Sequence, residues 1–226
     1  MLGGCCPESI RLGRRIYYHF RKWRLDGRLR QAHDRLRAAV REAEGRARDP
    51  SGAVIDSQAI KSAGVGGPER GYDGAKRLAG RKRHLLVDTG GLVLSAHVHA
   101  ASLHDRDGGQ RLLTEELQGE MPRLSVVWAD AAYTGQFREW VREERGWRVE
   151  VPQHPDRQLW RYGLKEKPRS RFQVLPRRWV VERTFAWLGH ARRLAKDYEQ
   201  LPETTVAMIH AAMSRIMLRR LARAAC

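Results

Sequence analysis

Cysteine is nearly missing from this sequence: 226 residues carry three, Cys5, Cys6 and Cys226, all at the extreme ends. Neither a disulfide framework nor a thiolate zinc site can be built around a core from such positions, so reduced thiols of no special role are expected. Long apolar runs are missing too. The most hydrophobic stretch, TTVAMIHAAMSRIMLRRL, is interrupted by His210 and Arg215, which argues against a membrane span. The first residues lack the basic-then-apolar order of a secretory signal, and a cytoplasmic protein is the expectation. Acidic charge is scarce: 26 Asp and Glu face 43 Lys and Arg, for a net charge of +17 and a pI near 10.8. A polyanionic partner follows, nucleic acid first because phosphates release condensed counterions to each Lys or Arg, with an anionic membrane surface as the rival.

What is present divides at about residue 50. Residues 14–48 read as two basic helices broken at Asp26-Gly27, with Ile16, Phe20, Trp23 and then Leu29, Leu36, Val40 at helical spacing. Residues 1–50 are therefore expected to form a small helical DNA-binding segment and residues 51–226 the main domain. In the latter, AVIDSQAI reads as a strand, residues 64–80 as a glycine-rich loop, and KRHLLVDTGGLVLSAHVHA as two strands joined at Thr89-Gly90-Gly91. DRDGGQRLLTEELQ reads as an amphipathic helix, followed by the strand SVVWAD, the helix QFREWVREER and the strand WRVEVP. Residues 153–176 read as a loop, RRWVVERTFAWLGHARRLAKD as a helix, and Glu203 to about Leu221 as a last helix with Met208, Met213 and Met217 filling the core. The order predicts an α/β fold with a mixed five-stranded sheet flanked by helices.

Three carboxylates stand in apolar surroundings, where an isolated charge is costly unless paired or bound to metal. Asp56 lies in the first strand, Asp130 ends the fourth, and Glu182 sits in the helical stripe RWVVERTF. If strands one and four are neighbours, both aspartates emerge side by side, and a later helix brings Glu182 to them. Converging carboxylates suit hard divalent cations, Mg2+ or Mn2+, and two such ions suit phosphoryl transfer. Each residue has a plainer alternative: Asp56 as a strand-end cap, Asp130 as a turn former, Glu182 as a helix partner of Arg178 or Arg183.

The stretches VIDSQAIK, GPERGYDGAKRLAGRKRHLLVDTGGLVL, HAASLHDRDG, WADAAYTG and LPRRWVVERTFAWLGHARRLAKDYE occur in the same order in a known group. Through them the chain resembles bacterial insertion-sequence transposases of the DDE type, the insertion-sequence-five family, over roughly residues 16–222. The resemblance implies an RNase H-like fold, with Asp56, Asp130 and Glu182 as the catalytic triad that binds two Mg2+ or Mn2+ ions. It implies cleavage at terminal inverted repeats of double-stranded DNA, strand transfer into target DNA, a homodimer on DNA and association with the bacterial nucleoid. In the family's signature of Tyr, Arg, Glu and Lys, Arg178 and Glu182 match, while Leu175 and Gly189 occupy the Tyr and Lys positions. Arg192, Arg193 and Lys196 are the candidates to stand in for the lysine, and Arg81, Lys82 and Arg83 are further candidate DNA contacts.

Two readings stay open: an active metal-dependent DDE transposase, and a catalytically inactive DNA-binding remnant or repressor. His84, His97, His99 and His104 are expected to pack rather than bind metal, since no third ligand lies at tight spacing. Asp88, Asp105 and Asp107 lie where they could reach the site, but turn and helix-cap roles explain them sufficiently. Gly64, Gly66 and Gly67 lack the lysine-serine or lysine-threonine closure of a phosphate loop.

Overall fold

The structure is a computed structural model that describes residues 7–64, 66–151 and 179–224; for residues 7–12 and Glu115 only the backbone is described. Helix α1 (Pro7–Leu25) is separated from α2 (Arg28–Ala43) by Gly27, whose φ of 74° suits a residue without a Cβ. The expected break at Asp26-Gly27 is observed. Ile16 and Trp23 of α1 are exposed among the described residues. Helix α2 behaves otherwise: Val40 is buried in the core, and Arg41 pairs with buried Asp88.

Six strands form one sheet: β1 (Gly52–Lys61), β2 (Gly71–Asp73), β3 (Leu78–Asp88), β4 (Val93–Ala100), β5 (Val126–Trp128) and β6 (Arg148–Glu150). Five strands were expected. The sixth, β2, arises in the glycine-rich stretch taken as loop, where Gly71 pairs with Gly80 and neither presents a side chain to obstruct the approach. Along the sheet the order is β2-β3-β1-β5-β6, with β4 also on β3. The β3–β4 hairpin and the β1–β3 pair are antiparallel, whereas β1–β5 and β5–β6 are parallel. This is a mixed, RNase H-like sheet flanked by helices.

Strand alternation gives the sheet two apolar faces. On one, Ala53, Ile55, Leu86 and Val127 pack with Leu112, Leu117, Phe137 and Val141 from α3 (Asp105–Leu112), α4 (Glu115–Glu120) and α5 (Gln136–Arg145). On the other, Val54, Leu85 and Val87 meet Val180, Val181, Phe185, Ile209, Met213 and Met217 from α6 (Trp179–Gly189) and α7 (Pro202–Ala224). Met208 packs at the edge of this second layer.

Two helices are shorter than their sequence patterns. The stretch read as one helix from Asp105 is split at Thr114, whose side chain accepts from the Leu117 N–H at 3.3 Å and starts a new helix. The helix read through Asp197 stops at Gly189. A 3-10 turn at Arg192–Leu194 follows, and Asp197 then bridges to Ser62 beside β1. Burial of Leu194 and pairing of Asp197 with Arg81 favour this path over continued helix. The loop expected at residues 153–176 lies outside the described residues. Among the described residues no helix is long and apolar enough to cross a membrane.

Candidate functional site

Register decides where the two aspartates go. Val54 pairs in parallel with Trp128 at the last paired position of β1 and β5, so Asp56 and Asp130 each lie two residues further along neighbouring chains. Alternation turns Asp56 to the face of Val54 and Leu85, its cross-strand partner, which is the face covered by α6. Glu182 projects from α6, exposed, one residue after buried Val181. Asp56 and Asp130 thus follow the last paired residues of neighbouring parallel strands, and Glu182 stands on the helix that covers one face of that sheet. The three do not form a closed set: among the described residues no three His, Cys, Asp or Glu side chains are grouped tightly enough to hold a metal ion.

Local hydrogen bonds fix both aspartates. Asp56 Oδ1 accepts from the Ser57 N–H at 2.7 Å. Asp130 Oδ1 accepts from the Ala132 N–H at 2.8 Å, capping the 3-10 turn Ala131–Tyr133. The plainer reading of Asp130 as a turn former therefore holds, and it coexists with any second role because a carboxylate has lone pairs to spare.

A third aspartate joins them. Asp105, at the start of α3, accepts from Ser57 Oγ at 2.8 Å and pairs with Lys82 Nζ at 3.0 Å. Burial would raise its carboxyl, but the Ser57 hydrogen bond and Lys82 outweigh it and hold the group below the usual carboxylate range. Helix α3 can sit this low only because of Gly108: a Cβ there would meet the His84 and His99 rings at 2.4 Å. Tyr133 is buried nearby, and its phenol is pushed well above its ordinary value by burial, then by Asp56, Asp105 and Asp130. A surface pocket opens alongside, lined by His104, Asp105, Arg106, Ala131, Ala132 and Thr134.

His84, His97 and His99 pack against one another, whereas His104 is exposed at the start of α3. His84 Nδ1 lies 2.7 Å from His99 Nε2, with the rings stacked, and His99 Nδ1 faces the Ala100 carbonyl at 2.8 Å. If His99 is neutral and donates to that carbonyl, its Nε2 accepts from the His84 N–H, leaving the His84 Nε2 lone pair facing Asp105 at 4.0 Å. Burial, then His99, lowers His84 to about 3, so the pair stays uncharged near neutrality.

The candidate DNA contacts divide sharply. Arg81 is fully buried: Nη1 donates to Asp197 and to the Glu199 carbonyl, both at 2.8 Å, and Nη2 to the Pro68 and Gln200 carbonyls. Lys82 is buried against Asp105 and the Leu103 carbonyl. Arg83 is buried and donates to the Leu194 carbonyl at 2.8 Å, and desolvation lowers it to about 10. None of these three faces solvent. Arg192, Arg193 and Lys196 are exposed, Arg193 being paired with Glu199 at 2.6 Å. Arg178 lies outside the described residues.

An RNase H-like sheet with carboxylates at the ends of its central parallel strands is an architecture of proteins that act on nucleic-acid phosphodiesters. Comparison with known proteins identifies the family: residues 47–217 match the Transposase DDE domain, and the chain belongs to it. It is 29% identical over 148 residues to a putative transposase for insertion sequence element IS402 of Burkholderia cepacia, a match covering 62% of this chain and 64% of that relative. The chain thus matches less than two thirds of that relative's length.

Proposed function

We propose that the chain is a metal-dependent transposase that cleaves double-stranded DNA at the terminal inverted repeats of an insertion sequence and transfers the freed end into target DNA. Asp56, Asp130 and Glu182 are the catalytic carboxylates. The observation that carries this reading is the parallel β1–β5 register, which sets Asp56 beside Asp130 at the end of paired strands, within a family whose domain covers most of the chain. The donor set fits a hard divalent cation, Mg2+ or Mn2+, because carboxylate oxygens are its preferred ligands and Asp56 and Asp130 each follow the last paired position of neighbouring parallel strands.

Bound ions of that kind would supply an activated water or hydroxyl and charge stabilisation at the leaving oxygen. The chain's own part is positional. Asp56 is held by a strand bonded on both sides and Asp130 by the turn that it caps, so neither must be ordered when DNA arrives. Glu182 on α6 completes the donor set. Exposed Arg192, Arg193 and Lys196, together with the net charge of +17, favour a phosphate backbone against this side. Assembly as a homodimer on DNA, presence in the cytoplasm and membership of the insertion-sequence-five group belong to the same proposal.

Purified protein with Mg2+ and DNA carrying the element's own ends is expected to nick those ends, and Asp130→Asn to abolish nicking while salt-dependent binding persists. Binding without nicking under Mg2+ or Mn2+ would leave the inactive DNA-binding remnant as the better description.

A further inference from the structure

The strand that carries Asp56 outruns its parallel neighbour. The β1–β5 pairing ends at Val54, so from Ile55 until Asp197 joins at Ser62, β3 is the one strand beside β1 among the described residues. Asp56 and Ser57 therefore stand, half-buried, on a stretch paired along a single edge.

Strand alternation offers a second anchor. Ser57 shares its face with Ala53 and Ile55, which belong to the layer of α3, whereas Asp56 shares the opposite face with Val54. Ser57 Oγ donates to Asp105 Oδ1 at 2.8 Å, and the Ser57 main-chain N–H donates to Asp56 Oδ1 at 2.7 Å. One residue thus ties a carboxylate on the α3 side of the sheet to a carboxylate on the other. Asp105 is the first residue of α3, yet its carboxylate reaches across to β1 and β3, where Lys82 Nζ lies 3.0 Å from the same oxygen. Lys82 is buried and also donates to the Leu103 carbonyl at 2.8 Å, with Asp73 3.9 Å away. A buried ion pair is a weak source of stability, because desolvation offsets much of the attraction. What this one does is hold a single oxygen in place beside Ser57. The close approach of α3 that Gly108 permits brings that oxygen within reach.

We propose that Ser57 and Asp105 are positioning residues of the reaction: Asp105 fixes the Ser57 hydroxyl, and the Ser57 N–H in turn fixes the direction of the Asp56 carboxylate. This rests on the reading of Asp56 as a catalytic carboxylate. Loss of such support, with the fold intact, commonly costs about ten- to a hundred-fold in rate.

The test compares the full chain as wild type, Ser57→Ala, Ser57→Thr and Asp130→Asn. Three quantities are measured: single-turnover nicking of DNA carrying the element's own ends with Mg2+, affinity for that DNA, and hydrogen-exchange protection of the residue 57 amide without metal or DNA. Ser57→Ala should slow nicking about ten-fold or more at unchanged DNA affinity. Its protection factor at residue 57 should fall about ten-fold, the worth of one hydrogen bond to a charged group. Ser57→Thr keeps a hydroxyl on a residue suited to strands and should restore both. Asp105→Ala combined with Lys82→Met removes both charges of the ion pair together and should reproduce the Ser57→Ala changes. Normal nicking by Ser57→Ala beside none by Asp130→Asn overturns the positioning role and leaves the carboxylate reading standing. Slow nicking that Ser57→Thr does not restore, or that comes with unchanged protection at residue 57, also overturns it. Wild-type nicking by Asp130→Asn, or none by the wild type, overturns the carboxylate reading itself.

Discussion

Two basic triplets of the same composition have opposite fates in this molecule. Arg81, Lys82 and Arg83 follow one another on β3 and are buried, their donors directed to Asp197, Asp105 and main-chain carbonyls. Arg192, Arg193 and Lys196 lie on a 3-10 turn and the chain after it, exposed. Charge count treats the groups alike. What separates them is that β3 is a central strand flanked by neighbours on both sides, so its side chains enter one packed layer or the other. A buried cation persists only where acceptors surround it, and the long Asp197 connection supplies them.

Replacing Arg81 by Ala should break this contrast most severely. Buried Asp197 would lose its cationic partner, and unfolding free energy measured in urea should fall by about 3–5 kcal/mol. A loss under about 1 kcal/mol would mean that the interior role is wrongly assigned. Next comes acid. Burial, followed by a neighbouring histidine in each case, lowers both His84 and His210 to about 3 from their ordinary 6.5. Above pH 6.5 neither is charged in folded or unfolded chain, so neither contributes to pH dependence. Between 6.5 and about 3 the unfolded chain takes up protons that the folded one refuses, and stability should fall by up to about 1.4 kcal/mol per pH unit for each histidine. Urea midpoints for His210→Phe should therefore change less steeply with pH than those of the wild type.

Lys82→Met should be milder, about 1–2 kcal/mol, because Asp105 keeps Ser57 as a donor and partial solvent access. Its carboxyl should rise toward the ordinary value in an NMR titration. The exterior triplet sharpens the comparison from the other side. Arg192→Ala combined with Lys196→Ala should change stability by no more than about 0.5 kcal/mol. The same pair should lower DNA affinity and make the logarithmic salt dependence shallower by about one to two. Unchanged salt dependence would remove this surface from the proposed DNA path.

Much of the fold was legible in sequence. The helix break at Asp26-Gly27, the hairpin at Thr89-Gly90-Gly91 and the short apolar run AVIDSQAI are local signals, and each element stands where its pattern implies. Glycine conformational freedom and side-chain periodicity act within a few residues, so no distant partner is needed to read them. The adjacency of Asp56 and Asp130 was readable one step further, since a right-handed crossover leaves few other ways to seat the strand of SVVWAD. By sequence Asp105 could reach this site but is explained as a helix cap, and Tyr133 was not readable there at all. Each has a sufficient local explanation, a helix start for one and a turn for the other, and their added meaning comes from contacts across the sheet, Asp105 with Ser57 48 residues earlier. The early end of α6 was hidden for the same reason, because the path after Gly189 is favoured by the distant pairing of Asp197 with Arg81.

By itself the sequence determined the α/β class, the strong positive charge and the three candidate carboxylates, because composition and short-range periodicity are properties of the chain before it folds. Only tertiary structure decided which cations reach solvent and that Asp105 joins Ser57 and Lys82 across the sheet. Those outcomes depend on strand register and on burial against distant segments, and neither is a property of any stretch of residues taken alone.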